Sequence, residues 1–159
     1  MDLSKVMDSN HALNAKFADV FTTIDGRRYH VLTCKNFEAN ATVNTEEVPR
    51  LGAVLIGHKA VSAVLAFTMT IYKATEMFDD LVEKFIRTGV MPRFDIQISN
   101  EDSAAAELGR TTKVLNGCVL DSDVLLAAAD AEGGWIEQEL SGFAEDYTRP
   151  EKLVNPSYM

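Results

Sequence analysis

From residue 61 to residue 72 the chain alternates without a break. Val61, Ala63, Leu65, Phe67, Met69 and Ile71 take the odd positions, and Ser62, Val64, Ala66, Thr68, Thr70 and Tyr72 the even ones. A period of two is that of a strand with two unlike faces. Counted to Lys73 the run would reach about 43 Å, more than double a usual strand. The odd face reads as a core face. The even face is small and mildly polar, with no charge before Lys73.

Weaker alternations predict further strands. Residues 21–24 and 29–33 flank Asp25-Gly26, a hairpin turn pair because both residues tolerate positive φ. Residues 35–44 place Phe37, Ala39, Ala41 and Val43 on one side, and Glu38, Asn40, Thr42 and Asn44 on the other. Residues 93–99 follow Pro92 with Phe94, Ile96 and Ile98 in phase. Residues 111–121 put Val114, Cys118 and Leu120 on one side, and 135–147 form a last extended element. The apolar run 124–129 is short, and its strand-rich surroundings favour β; 130–134 reads as a turn.

One segment changes period. Over about 75–88, Phe78, Leu81, Val82, Phe85 and Ile86 fall on a single helical stripe, with Thr75 as a cap and Gly89 as the stop. Glu76, Asp79 and Asp80 precede Lys84 and Arg87, in the order the helix dipole favours. Seven or eight strands with this flanking helix predict a mainly-β domain, a closed barrel or a sandwich. The divisions are an unanchored arm at 1–19, a domain at 20–153 and a tail at 154–159.

The segment EEVPRLGAVLIGHKA, residues 46–60, departs from the ordinary pattern. Pro49, Gly52 and Gly57 mark a loop, yet Ala53, Val54, Leu55 and Ile56 are apolar. Such a cluster needs something to cover it.

Composition narrows the partners. A formal charge of −9 on 159 residues argues against a nucleic-acid-binding surface, which needs clustered Lys and Arg. Residues 130–152 hold seven acids and two bases, a local balance of −5 that suits either a solvated edge or a docking surface for a basic partner. No apolar run approaches a membrane span or a signal-peptide core, so no membrane anchor is expected. Cys34 and Cys118 have no second Cys or His at zinc-ligand spacing and read as buried thiols in a reducing cytoplasm.

Catalysis lacks a constellation. His11, His30 and His58 are scattered, and no Gly-rich phosphate loop or nucleophile elbow is present. The paired carboxylates Glu46-Glu47, Asp79-Asp80 and Glu145-Asp146 suit a solvated surface better than a general acid and base. The expectation is a non-enzymatic chain with no cofactor and no metal.

An ordered set of strings does carry information. NFEAN, the N-x-x-E-V-P loop, GHK, a small-residue strand ending in IYK-x-T, FDIQISNED, the segment from Gly109 and Arg110 to Cys118, and EDYTRPEKL occur in that order. Together they resemble the tail tube family of contractile phage tails from Gram-positive hosts. That family also supplies the tube of R-type, diffocin-like bacteriocins and of defective prophage particles.

The resemblance implies a ring-forming tail tube fold, six copies per ring, with rings stacked into a hollow tube. It implies as partners further copies of the chain, a contractile sheath, a tape-measure protein, baseplate and tail-terminator proteins, and DNA in transient passage. Assembly in the bacterial cytoplasm and release within a phage tail or bacteriocin particle go with it. In that setting Glu46, Glu47, Val48, Pro49, Arg50, Leu51, Val54, Leu55, Ile56, His58 and Lys59 would contact an adjacent subunit or ring. The alternative is that they prolong a hairpin within their own subunit. Ser62, Thr68 and Thr70 would face the lumen, and Glu76, Asp80 and Glu83 the sheath. Other readings are the ring-forming tube of a type VI-like secretion system, or a small β-barrel binding domain.

Overall fold

The computed structural model describes residues 6–159. Its regular elements are β1 (Ala18–Ile24), β2 (Arg27–His30), β3 (Cys34–Val48), β4 (Gly57–Tyr72), α1 (Met77–Thr88), β5 (Phe94–Asn100), β6 (Thr111–Leu120), β7 (Glu137–Ala144) and β8 (Asp146–Glu151). All strand pairings are antiparallel. They run in the order β2-β1-β5-β6-β7-β4-β3, with β8 added to β6, so β2 and β3 end the path.

Two leaves share β6. The start and middle of β6 pair with β8, Leu115 opposite Tyr147, while its end pairs with β7, Leu120 opposite Gly142. The expected single element over 135–147 is therefore two strands, running from Glu137 to Ala144 and from Asp146 to Glu151. The break falls at Glu145, whose N–H donates to the Asn116 carbonyl at 3.1 Å, beside Gly117 at φ +64°. A bulge here lets one edge of β6 serve both strands.

The core lies between the leaves. Phe67, Met69 and Ile71 of β4 face Phe94 and Ile96 of β5, Leu115 and Cys118 of β6, and Leu140 of β7, all buried. The rings of Phe67 and Phe78 each meet Phe94 edge-on, at 6.1 and 6.0 Å between centroids. Each such side chain contributes about 1.5–3 kcal/mol relative to exposure. The odd face of β4 is thus a core face, but only over its second half.

On β6 the expected face is wrong in part. Leu115 and Cys118 are buried, whereas Val114 and Leu120 are half-buried. Register shifts opposite Phe94–Ile96 and Thr112–Val114 reverse the alternation, so strict parity fails. Residues 124–129 form no strand. Both edges of β7 are already occupied, by β4 and by the end of β6, and 121–136 runs as an irregular connection.

Helix α1 packs on the core through buried Phe78 and Leu81. It begins at Met77 with Glu76, not Thr75, at the cap position and no side-chain cap bond there, although the Thr75 hydroxyl accepts from the Met77 N–H at 3.3 Å; it stops at Gly89 in the left-handed region. Its stripe divides: Val82 is half-buried, while Phe85 and Ile86 stand in solvent. Lys84 bonds Asp25 at 2.9 Å and ties the helix to the Asp25-Gly26 turn, which is where the sequence puts it.

The arm is not free over its described part. Two short 3-10 turns carry it to β1. The Asn14 N–H donates to the Asp102 carboxylate at 3.1 Å, and His11 Nδ1 lies 2.9 Å from the Tyr158 hydroxyl. The first five residues of the expected arm lie outside the described residues. Cys34 is half-buried rather than buried, and His30, inside β2 as read, is exposed and stacked on Phe21.

Candidate assembly surface

The hairpin of β3 and β4 is longer than the body that supports it. β7 covers β4 only from Leu65 to Tyr72, so residues 42–48 and 57–64 form a bare two-stranded ribbon. Both of its faces are in solvent except at Gly57, which is half-buried. Eight residues of β4 project it by about 26 Å.

Glu46, Glu47 and Val48 are in β3, and His58 and Lys59 in β4. Glu46 lies opposite Lys59, and Glu47 opposite His58. These five therefore belong to the paired strands of the hairpin, and the loop shrinks to residues 49–56. Pro49, Arg50, Leu51, Val54, Leu55 and Ile56 form its tip. The turn is held by Arg50, whose guanidinium donates to the Leu55 carbonyl at 3.1 Å. Gly57 gives that side chain room, since a Cβ there would lie 3.3 Å from Arg50 Nε. With its backbone fixed, the tip displays Leu51 and Val54 fully, Leu55 at 77% and Ile56 at 54% exposure. This apolar patch has no cover within the described protomer.

The even face of β4 joins a polar strip. Ser62 pairs across to Asn44, Thr68 to Glu38 and Thr70 to Asn36, and on the other flank Thr68 and Thr70 meet Ser141 and Glu139. Directly opposite residues share a face. Ser62 is exposed, and Thr68 and Thr70 are half-buried. Glu38 and Glu139 were missed as members of this strip. The alternation of β3 was visible, but only the register assigns its even side to that of β4.

On the helix, Glu76, Asp80 and Glu83 are all exposed. Asp79 instead turns inward to Lys73, and Glu83 is 4.0 Å from Arg87. At the far edge, the Arg110 guanidinium binds Glu151 and holds its carboxyl below the ordinary value. Among the described residues, no three His, Cys, Asp or Glu side chains cluster in a way that could hold a metal ion, and no helix is long and apolar enough to cross a membrane.

The chain thus leaves a long ribbon, an apolar tip and the outer edge of β3 uncovered. Residues 5–151 match the family model described as phage tail tube protein. The chain belongs to the phage tail tube protein family. Among its relatives is the phage-like element PBSX protein XkdM of Bacillus subtilis (strain 168), 33% identical over 119 residues that cover 75% of this chain and 80% of that one. The tail tube family member also shares its fold with two solved structures. One is the tube-terminating cap of the anti-feeding prophage, with TM-score 0.65, 12% identity, and 94% of this chain and 98% of that one covered. The other is the sheath/tube terminator of an extracellular contractile injection system, PVC, with TM-score 0.59, 17% identity, and 83% and 93% covered.

Proposed function

We propose that this chain is a non-enzymatic building block of the inner tube of a contractile phage tail or phage-tail-like particle. Six copies close into a ring, and rings stack into a hollow tube within a sheath. The observation that carries this reading is the ribbon. A two-stranded hairpin is marginal by itself, and an exposed edge with an apolar tip invites another chain. A head-to-tail contact that closes gives rings, and one that stacks gives filaments. Residues 46–59 then meet the adjacent subunit or the next ring, with the free edge of β3 completed by a neighbour.

In this reading the polar strip of Ser62, Thr68 and Thr70 lines the bore, with Glu38 and Glu139 beside them. An acidic, small-residue wall repels phosphates and lets a genome pass without binding. Residues 20–153 act as the tube domain, flanked by the arm at 1–19 and the tail at 154–159. The partners are a sheath around the tube, a tape-measure protein within it, and baseplate and terminator proteins at its ends. Assembly takes place in the bacterial cytoplasm.

The test is direct. Replacing both Leu55 and Ile56 with Asp should leave a folded protein that no longer builds tubes, seen by negative-stain microscopy of the purified chain. Normal tubes from that variant would remove the ribbon from the assembly.

A further inference from the structure

The ribbon is not the one open surface among the described residues. Between the starts of β1, β3 and β6 and the end of β5 lies an open groove of about 750 Å³. Leu13, Val31, Phe37 and Ile98 give it apolar walls. Lys16, Lys35 and Lys113 stand along it, against a single acid, Asp19. Lys35 is 3.3 Å from Glu137, but among the described residues neither Lys16 nor Lys113 makes an ion pair. In a chain of net charge −9, a groove with excess positive charge needs a reason.

Elsewhere, the connection from β6 to β7 has the opposite character. Residues 121–136 carry Asp121, Asp123, Asp130 and Glu132 and no Lys or Arg. They leave Leu126 and Ile136 exposed, and Trp135 at 88% exposure. Irregular connections of this length are uncommon in compact domains and usually have a task, and an exposed Trp is a typical interface anchor. The connection is pinned at both ends: the Ser141 N–H donates to the Ser122 hydroxyl at 3.0 Å, and the Lys73 N–H to the Ile136 carbonyl at 2.8 Å. No residue of 121–136 lines the groove of its own chain.

We infer that the groove receives the 121–136 connection of a second copy of this chain. The match is acid to lysine and indole to apolar wall, and it is heterologous, so each copy both gives and receives. One wall of the groove is the N-terminal segment, through Leu13, Ala15 and Lys16. That wall is in place because Asn14 is held by Asp102 and His11 by Tyr158. This inference rests on the self-assembly reading above and adds a receptor and a ligand surface to it.

The experiment is a charge exchange on the full chain. The variant Lys16→Glu/Lys113→Glu and the variant Asp123→Lys/Asp130→Lys should each fold normally by circular dichroism. Each should raise the concentration needed for assembly at least about tenfold. The four-fold combination, which restores the wild-type net charge, should return it to near the wild-type value. Wild-type assembly by both two-residue variants, or a combination no better than either alone, overturns the pairing while leaving the tube reading intact. If the wild-type chain itself forms neither rings nor tubes at any concentration, the tube reading fails and the pairing with it.

Discussion

Gly142 sits where the end of β6 crosses β7. A Cβ on it would lie 2.0 Å from the Val119 carbonyl oxygen and 3.0 Å from the Phe67 ring, so the two backbones meet there with no room between them. Gly142→Ala should therefore part the leaves and destabilise the fold by about 1–3 kcal/mol, read as a lower midpoint in urea. A glycine inside an alternating run is visible in the sequence; the atom it makes room for is not, because that atom belongs to a distant strand. Cys118 behaves similarly. Burial pushes its thiol from 9.0 up to about 12, with the Asp95 carboxylate adding to the effect. Between those values the unfolded chain loses the proton and the folded chain keeps it. The contribution is thus full below pH 9 and is lost as pH rises toward 12. Melting curves of wild type and Cys118→Ala should show a steeper alkaline decline for wild type, and parallel slopes would contradict this assignment.

At the level of elements, the legible parts were those whose periodicity is set by their own residues. The odd side of β4 from Phe67 to Ile71 is core because three large side chains at period two can face only one way. The Asp25-Gly26 turn and the helix stop at Gly89 follow from backbone freedom alone. What was not legible depended on partners. The exposed half of the β3–β4 ribbon has the same alternation as the covered half, and only the length of β7 separates them. The break between β7 and β8 and the altered parity of β6 come from bulges, and Gly117 marks one of them without showing which strands it serves. Residues 124–129, which only their strand-rich surroundings favoured as β, lead into a β7 whose two edges are already taken by β4 and the end of β6. Helix α1 turns this distinction into a measurement. Phe78→Ala removes a fully buried ring and should cost about 3–5 kcal/mol. Ile86→Ser, at a position 71% exposed on the same predicted stripe, should change protomer stability by no more than about 0.5 kcal/mol. Equal losses in thermal unfolding would mean that Ile86 is buried in the folded chain.

In the proposed tube, one acidic chain has to meet unlike partners. Three of its candidate surfaces differ in chemistry: the ribbon tip is apolar, the strip beside it polar and small, and the exposed face of α1 carries Glu76, Asp80 and Glu83. An apolar contact is little affected by salt, whereas one between exposed charges weakens as ionic strength rises. The tip contact should therefore persist at an ionic strength that weakens both the helix contact and the lysine–acid pairing of the groove. The helix contact can be narrowed further. Asp79 is turned to Lys73 and Glu83 lies beside Arg87, which leaves Glu76 and Asp80 as the carboxylates most available to a basic element. Reversing Glu76, Asp80 and Glu83 to Lys should leave tubes normal in number and diameter while the sheath no longer co-sediments with them. Reversal at Glu83 alone should do less than reversal at Asp80, because Arg87 already screens it. If the triple variant loses its tubes instead, the helix faces a neighbouring subunit, and the exposed Phe85 and Ile86 become part of the contact within the ring.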